Sequence, residues 1–350
     1  MTNIWLLKEN HYTDQCQGVV RLLAFWPSSI FFIEIYFMRE NTSKIAYSKK
    51  VMNIDWFIER IKSKWFFIWD IDFVKDFLNK NWYYHISSYI KCFCDTDNWE
   101  DEAFNDIDFH SVISLYNIDK KLQKELLNAV LKIETLLKAN FIQKLCIKHQ
   151  SPFWYLERRN LAFMASEELK KLVLDIQDKI KKSHACKHFF SKYSNEYLPI
   201  RHLVEFSSFG SFTKLFDYLK DDDLFMFCDL YWAVYQNWSS IFYDKKQLKT
   251  RLKGLADFRN RLAHSEITWS PTALSQIVLP KYSSSSKINT TSSYIQLIYH
   301  FLKMISIEEA NTFYETCFDY LSKITEIKWI HDRELNKIWL AWNWEDRFNI

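Results

Sequence analysis

The chain is poor in the residues that interrupt regular structure, since its 350 residues include only 3 glycines and 5 prolines. A fold of many short strands needs turn formers between the strands, so this scarcity disfavours an all-β protein. Hydrophobic residues make up 48% of the chain, which is enough for a sizeable core. We therefore expect an all-α protein with one large unit or two closely packed units.

Cysteine is also too scarce and too scattered to suggest a disulfide framework. The seven cysteines are odd in number and lie in apolar surroundings, which predicts reduced thiols. Cys92 and Cys94 form one pair, but no second pair lies at metal-ligand spacing. His184 and His188 are one helical turn apart, but no third ligand is identifiable. We expect no metal and no cofactor.

A long uninterrupted apolar run is missing as well. The most apolar stretch, residues 19–38, contains Arg21, Pro27 and Glu34, which disfavours a membrane span. The first residues are not basic and no cleavage site follows cleanly, which disfavours a secretory signal. These features predict a cytoplasmic protein that does not interact with a membrane. The net charge is only +3, so nucleic-acid binding would need a local basic face.

Four regions follow from the pattern along the chain. Residues 1–50 lack clean periodicity and are predicted only as an N-terminal extension. Residues 51–280 carry helical patterns and form the predicted helical domain. The serine-rich residues 281–293 are the best linker or loop, and residues 294–350 are predicted as a C-terminal helix with a tryptophan-rich tail packed on the core.

The most readable element is a long scaffold helix from His110 to His149, which contains no glycine or proline. Asn53 is the predicted cap of an earlier helix, and a second helical run is predicted from Asp70. Apolar residues recur along the scaffold helix at helical spacing: Leu115, Leu122, Leu126, Val130, Ile133, Leu137, Phe141 and Leu145.

A charged helix is predicted from about Ser166 to Lys192, with Lys179, Lys181 and Lys182 among its lysines. One interpretation is a face that holds RNA phosphates, and the other is an ordinary solvated surface. Residues 200–220 are predicted to be helical around Gly210, which we interpret as a junction or a close approach of helices.

The residues with chemical potential lie on a helix predicted from Asp244 to His264. Its buried stripe consists of Leu248, Leu252, Leu255, Phe258 and Leu262. At about 100° per residue, Asn260 and His264 share a face turned away from this stripe, and Arg259 lies at the edge of the stripe. The Arg259 guanidinium can reach round to that face because its stem is long.

A cation, an amide and an imidazole on one face suit RNA cleavage without a metal. An imidazole can move the proton of a 2′-hydroxyl or of a leaving oxygen, and a guanidinium stabilises a charged phosphorane. Asn260 would orient the phosphate or His264. In the alternative interpretation, Arg259 pairs with a structural carboxylate and His264 is a helix-end residue that interacts with the helix dipole.

The string Arg259-Asn260-Arg261-Leu262-Ala263-His264 resembles the Arg-Asn-x-x-x-His signature of HEPN ribonucleases. The surrounding blocks, in the same order, resemble the Abi family of the AbiD/AbiF type over residues 53–271. These blocks are residues 115–122, Ile133-Glu134, residues 152–156 and Phe209-Gly210.

The resemblance implies a HEPN-type helical bundle with extra helices, acting in bacterial abortive-infection defence. It implies an endoribonuclease that leaves 2′,3′-cyclic phosphate and 5′-hydroxyl ends, and for some members control by a small structured RNA. HEPN enzymes usually use two such motifs facing each other, and this chain has one, so a homodimer is expected. Arg259, Asn260 and His264 are the expected catalytic residues. Glu134 is a second-tier candidate, and Arg261 joins the lysines as a candidate RNA contact.

Where the family has a basic residue after its Asp-x-Lys-Leu block, this chain has Gln123, which we expect to weaken RNA contact. Two other functions remain open: a non-catalytic RNA-binding or sensing module of a defence system, and a module that contacts protein alone. RNA binding that is weak and insensitive to salt would favour the protein-contact module.

Overall fold

In the computed structural model the described residues are 4–7, 19–26, 29–36, 53–81, 83–95, 102–103, 107–162, 166–232, 245–268, 291–327 and 330. The contacts divide the chain into residues 1–52 and 53–350. Residues 1–52 contain β1 (Ile4–Leu7), β2 (Val19–Trp26) and β3 (Ser29–Tyr36). These strands form an antiparallel sheet in the order β1-β2-β3.

This sheet was not evident in the sequence. The strands β2 and β3 are near-continuous runs of apolar and aromatic residues without an alternating pattern. A short run of that kind does not distinguish a strand from a buried helix segment by periodicity alone.

The described residues from Asn53 onward are mainly helical, and the predicted all-α class is confirmed. Four two-residue strands pair as β4 (Phe66–Phe67) with β7 (Ile107–Asp108), and β5 (Cys94–Asp95) with β6 (Glu102–Ala103). The helices are α1 (Ile54–Lys62), α2 (Ile71–Lys80), α3 (Tyr83–Ile90), α4 (Phe109–His149), α5 (Ser166–Ile180), α6 (His184–Lys192), α7 (Ile200–Phe206), α8 (Phe209–Lys214), α9 (Asp221–Trp232), α10 (Lys245–Ala263), α11 (Thr291–Leu302) and α12 (Ile307–Thr325).

The scaffold of this unit is α4, whose 41 residues extend over about 60 Å. The Asp108 side chain caps its N-terminus by accepting from the His110 amide at 3.0 Å. Helices α3, α7, α10, α11 and α12 all contact α4. The predicted apolar stripe is confirmed, because all eight of its residues are fully buried.

Helix α10 packs on α4 through the stripe predicted for it. Leu248, Leu252, Leu255, Phe258 and Leu262 are each at most 4% exposed. The predicted end of this helix near His264 agrees with the observed last residue, Ala263. Its predicted first residue, Asp244, lies outside the described residues. Because the stripe fixes the rotation of α10, the exposed face of the helix is also fixed.

Three predicted segments are more broken than the sequence suggested. The charged helix over residues 166–192 is two helices, because Ser183 caps α6 by accepting from the Cys186 amide. The C-terminal helix is likewise two, α11 and α12, and Ser306 caps the second. Residues 281–290 of the predicted linker and residues 331–350 of the predicted tail lie outside the described residues. The last three residues of the predicted linker, Thr291 to Ser293, form the first turn of α11 and are buried. Ser183 and Ser306 each accept a hydrogen bond from an amide in the first turn of the following helix, so a new helix begins at each serine.

Gly210 matches one of its two predicted roles, the junction between helices. It is the second residue of α8, near the junction with α7, but a Cβ atom added to it would meet nothing within 4 Å. The predicted close approach of helices at Gly210 is therefore wrong.

No helix among the described residues is long and apolar enough to cross a bilayer. Six of the seven cysteines fall in the described ranges, and all six are in the reduced form. Within the same ranges, no group of three or more metal-ligating side chains comes together. Cys16 lies outside them.

The aromatic core around Phe141 of α4 leads to the first prediction. The Phe141 ring lies 5.1 to 6.2 Å from four other aromatic rings, those of Trp154, Phe212, Phe216 and Phe227. Phe141→Ala should lower the free energy of unfolding by about 3–5 kcal/mol, because it leaves a cavity at the centre of this cluster. Urea denaturation measures the loss. Ile147→Ala, on the same helix but 60% exposed, is the matched control and should cost much less. Equal losses for the two variants would contradict this account of the core.

Candidate functional site

The sequence placed its main candidates at the end of α10, and the structure shows how they are presented. Arg259 lies in the last turn with its side chain 32% exposed, while Asn260 and His264 are exposed. His264 is the first residue beyond α10, and its backbone amide donates to the Asn260 carbonyl at 3.0 Å. Asn260 and His264 are therefore neighbours, one helical turn apart on the solvent side of α10.

The position of His264 is set by the way the helix stops. Ser265 adopts the left-handed conformation, with φ 58°. Its amide donates to the Leu262 carbonyl at 3.1 Å, and the Glu266 amide donates to the Arg261 carbonyl at 3.1 Å. These two bonds are a Schellman motif, which leaves His264 as the capping residue with its side chain at the negative end of the helix dipole.

Arg259 reaches across to α4, where it meets Glu134. The Nε atom of Arg259 lies 3.7 Å from Oε2 of Glu134, and its Nη1 is 3.5 Å from Oδ1 of Asn260. Lys138 approaches the same carboxylate, with Nζ 2.7 Å from Oε1 of Glu134, and donates to the Ser207 carbonyl at 2.8 Å. Glu134 is only 9% exposed, so it is a buried anion shared by two cations.

This cluster is incompletely satisfied. Arg259 Nε and Glu134 Oε2 are both buried without a hydrogen-bond partner among the described residues, and their separation is too long for a hydrogen bond between them. Buried polar atoms are normally paired, so such a pair needs an explanation. Two cations on one carboxylate also leave one positive charge uncompensated within the cluster, beside exposed Asn260. The contacts of the Arg259 guanidinium to Glu134 and Asn260 are long, so its exposed part can donate to an anionic ligand oxygen without losing a short internal bond.

Arg261 does not join this group. Its side chain is 12% exposed, and its Nε lies 2.9 Å from Oε2 of Glu266, just beyond the Schellman turn. This ion pair stabilises the end of α10. Because the Arg261 side chain is largely buried and already paired, a direct contact with RNA is disfavoured.

The three predicted RNA-binding lysines lie at the end of α5. Lys179 pairs with Asp175 at 2.6 Å and Lys181 with Asp178 at 3.0 Å, so each carries its own counter-charge. Lys181 and Lys182 follow the last residue of α5 and lie in the turn before α6. The structure therefore does not bring these lysines together on one helical face.

A buried polar network supports the turn that carries His264. Its centre is Asp119 of α4, which is 0% exposed. The hydroxyls of Tyr89 and Thr268 and the Gln123 amide all donate to its carboxylate. The Thr268 carbonyl in turn accepts from the Thr291 hydroxyl at 2.8 Å. Thr268 is thereby hydrogen-bonded to α4, and the start of α11 is hydrogen-bonded to Thr268.

Gln123 makes the closest link to the candidate site. Its Nε2 donates to Asp119 and to the Glu266 carbonyl, each at 2.7 Å, and its Oε1 accepts from Lys120 Nζ at 2.9 Å. Lys120 also donates to the Ser265 carbonyl at 2.9 Å. The Gln123 side chain therefore connects Asp119 to the Glu266 carbonyl in the turn after His264. Gln123 is 5% exposed, so its role is structural support and not contact with RNA at the surface.

The burial of Asp119 has an electrostatic consequence. Burial raises the pKa of this carboxyl to about 6, although the hydrogen bonds from Thr268 and Tyr89 and the nearby Lys120 charge act in the opposite direction. The ionised form is thus disfavoured in the folded state relative to the unfolded chain.

Sequence reasoning assigned no role to Asp119, Lys138 or Thr268. Asp119 occupies the apolar stripe of α4, four residues after Leu115 and three before Leu122, and a charged residue at such a position signals a buried network. Lys138 follows Glu134 by four residues, the spacing of a helical ion pair. No local pattern points to Thr268, because its partner is 149 residues away.

Comparison with known proteins adds one finding. The family model described as Abi-like protein matches residues 76–270. The matched segment contains Asp119, Glu134, Arg259, Asn260 and His264, and ends shortly after the turn that the buried network holds. No curated protein and no solved structure matches the chain significantly.

The raised pKa of Asp119 predicts a specific pH dependence of stability. A carboxyl whose folded pKa exceeds its unfolded value contributes stability below the unfolded pKa, and this contribution is lost as pH rises through the folded pKa. Relative to Asp119→Asn, the wild-type free energy of unfolding should therefore fall by about 2 kcal/mol between about pH 4.5 and about pH 7.5. Urea titrations across this range measure it. Asp222→Asn, at an exposed position, is the control. A wild-type-to-variant difference that stays constant with pH would contradict the assignment.

Proposed function

This chain belongs to the Abi-like protein family, and on that premise we propose that it is a homodimeric, metal-independent endoribonuclease that acts in bacterial abortive-infection defence. The observation that carries the proposal is the unsatisfied cationic cluster of Arg259, Lys138 and Glu134 beside exposed Asn260 and His264. The partly exposed Arg259 guanidinium can donate hydrogen bonds to the anionic oxygens of a phosphodiester.

The reaction is transesterification within RNA. The 2′-hydroxyl attacks the adjacent phosphorus, the bond from phosphorus to the 5′-oxygen breaks, and the products carry a 2′,3′-cyclic phosphate and a 5′-hydroxyl. The attacking hydroxyl loses a proton and the leaving oxygen gains one. His264 moves a proton as general acid or base. Arg259 stabilises the charge of the phosphorane, and Asn260 positions the phosphate.

Glu134 acts on this reaction through Arg259. Its carboxylate draws the guanidinium towards α4 while leaving the Nε hydrogen without a tight partner. Lys138 holds the other carboxylate oxygen, so the orientation of Glu134 is fixed from two sides. We assign Glu134 and Lys138 as positioning residues.

The homodimer follows from the need for two proton transfers. Each chain has one Arg-Asn-x-x-x-His motif with one imidazole. In a dimer with facing motifs, His264 accepts the proton of the attacking hydroxyl and His264 of the partner subunit donates to the leaving oxygen. Two copies also double the positive charge around the phosphorane.

A second candidate function is a non-catalytic RNA-binding or sensing module. It is favoured by the ion pair between Arg259 and Glu134 and by the capping position of His264, because both also suit a structural role. Control by a small structured RNA is compatible with either function and remains part of the proposal.

The chemistry is tested by incubating total cellular RNA with wild-type protein and with His264→Ala in the presence of a chelator. We expect wild-type fragments with 2′,3′-cyclic phosphate ends and a loss of on the order of 10²-fold or more in the variant, because it removes the acid or base. His188→Ala, which removes an exposed histidine of α6, is the matched control and should cut normally. Cleavage unchanged in His264→Ala would refute the catalytic role. RNA binding without cleavage by any variant would favour the binding module.

The composite site is tested by mixing the two proteins. When wild type and His264→Ala are unfolded, mixed and refolded together, copies pair at random. If cleavage needs two motifs, total activity falls with the square of the wild-type fraction, whereas independent sites give a linear fall. Sedimentation of each mixture checks that dimers form. A linear fall in a confirmed dimer would overturn the shared site while leaving the nuclease assignment intact.

A further inference from the structure

A second polar feature lies beside the candidate site. A groove of about 560 Å³ lies between α8 and the middle of α10. Three lysines line it, Lys214, Lys249 and Lys253, together with two aspartates, Asp217 and Asp257. The remaining described lining residues are small or carry hydroxyls, and none is aromatic.

The groove is continuous with the face of α10 that presents the candidate catalytic residues. Lys249, Lys253, Asp257, Asn260 and His264 follow each other at spacings of three or four residues, so they occupy one side of the helix. From Lys249 to His264 this side extends over about 22 Å. A single extended ligand can therefore contact both the groove and the imidazole.

The groove also adjoins the cationic cluster from the other side. Ser208 lines the groove, and the carbonyl of the preceding residue, Ser207, accepts the hydrogen bond from Lys138. The same Lys138 pairs with Glu134, which faces Arg259. The groove and the cluster thus share a wall at the junction of α7 and α8.

Gly210 supports a functional reading of this space. A glycine in a helix destabilises it relative to alanine, and it is usually explained by close packing or unusual backbone angles. Gly210 lines the groove, has no positive φ, and leaves open space where a side chain would be. A large side chain at this position would extend into the groove, although a single Cβ atom fits.

We infer that this groove binds the ribose-phosphate backbone of RNA on one side of the cleavage point. The inference rests on the proposed function for the identity of the ligand. Lysines and hydroxyl groups are typical contacts to phosphate and sugar, and such contacts carry no sequence information. The lack of aromatic rings in the lining removes the usual platforms for stacked bases. The groove therefore binds the RNA strand by contacts to its sugar-phosphate backbone, and it accepts many base sequences.

The charges of the groove suit this role better than those of α5. Lys214 and Lys253 form no ion pair within the described part of the chain. The ion pair of Lys249 with Asp217 is long, with 3.5 Å between Nζ and Oδ1. Lys179 and Lys181 of the rival surface instead pair tightly with their neighbours. A phosphate at the groove would compete with Asp217 for Lys249. Removing the Asp217 charge should consequently strengthen RNA binding, which is a result that a groove for a cationic or neutral ligand would not give.

The test uses the full chain carrying His264→Ala, so that RNA is bound but not cut. Binding of a fluorescent single-stranded RNA of mixed sequence is measured over a range of salt concentrations. Changing Lys214, Lys249 and Lys253 together to Gln should weaken binding on the order of tenfold or more and reduce the slope of log affinity against log salt by about 2. The same charge change at Lys179, Lys181 and Lys182 should have a much smaller effect.

Single substitutions keep the test valid if the triple variant folds poorly. Gly210→Glu should weaken binding by placing an anion in the groove, and Gly210→Ala, the matched control, should bind like the parent. Asp217→Asn should bind more tightly than the parent. Circular dichroism and sedimentation verify that each variant is folded and has the parent assembly.

Each outcome decides the proposal. Loss of binding in the groove variants, with little loss in the α5 variant, supports it even if the wild type cuts no RNA, which would overturn only the nuclease. Wild-type cleavage with unchanged binding by the groove variants would overturn the groove and leave the nuclease standing. Equal losses in both triple variants would show a response to net charge alone and would reject this groove. If the His264→Ala parent binds no RNA at low salt, both the groove proposal and the nuclease proposal are overturned.

Discussion

The packing of α10 against α4 is the constraint on which the site depends. The apolar stripes of both helices are buried almost completely, so neither helix can rotate without exposing leucine and phenylalanine side chains to water. Asn260 lies between Phe258 and Leu262 in the sequence. With those two residues buried, the orientation of the helix about its axis places Asn260 on the exposed side. The exposed polar face is thus a consequence of core packing, and it does not depend on contacts made by the polar residues themselves.

Two polar connections then join the same pair of helices at different points. At one point Glu134 of α4 faces Arg259, and at the other Asp119 and Gln123 hold the turn after His264. Burying a carboxylate is costly unless it is paired, and the two sites meet that cost differently. Asp119 accepts several hydrogen bonds and is well satisfied, as a support should be. Glu134 retains a buried oxygen without a hydrogen bond among the described residues.

The sequence predicted those features that repeat along one helix. The stripes of α4 and α10 and the face shared by Asn260 and His264 follow from spacing of three or four residues. The cap at Asn53 follows from its residue type and its place just before an apolar run. Helix breaks at Ser183 and Ser306 were missed, because a serine inside a polar helical pattern has no apolar periodicity to interrupt. The network around Asp119 could not be predicted from the sequence for another reason. Its partners come from distant segments, and pairing across 149 residues leaves no local trace.

The distribution of charge explains why overall composition is uninformative about RNA. A net charge of +3 is small, and many lysines on the described helices face a carboxylate three or four residues away. Such pairs stabilise a helix slightly but present little net field to a phosphate at a distance. What matters is where cations outnumber nearby anions. That occurs where Arg259 and Lys138 share Glu134, and again where three lysines face two aspartates in the groove beside α10. Both places border the side of α10 that carries Asn260 and His264. A chain that is almost neutral can therefore attract a polyanion to one helix face, since attraction depends on the local excess of charge and not on the total.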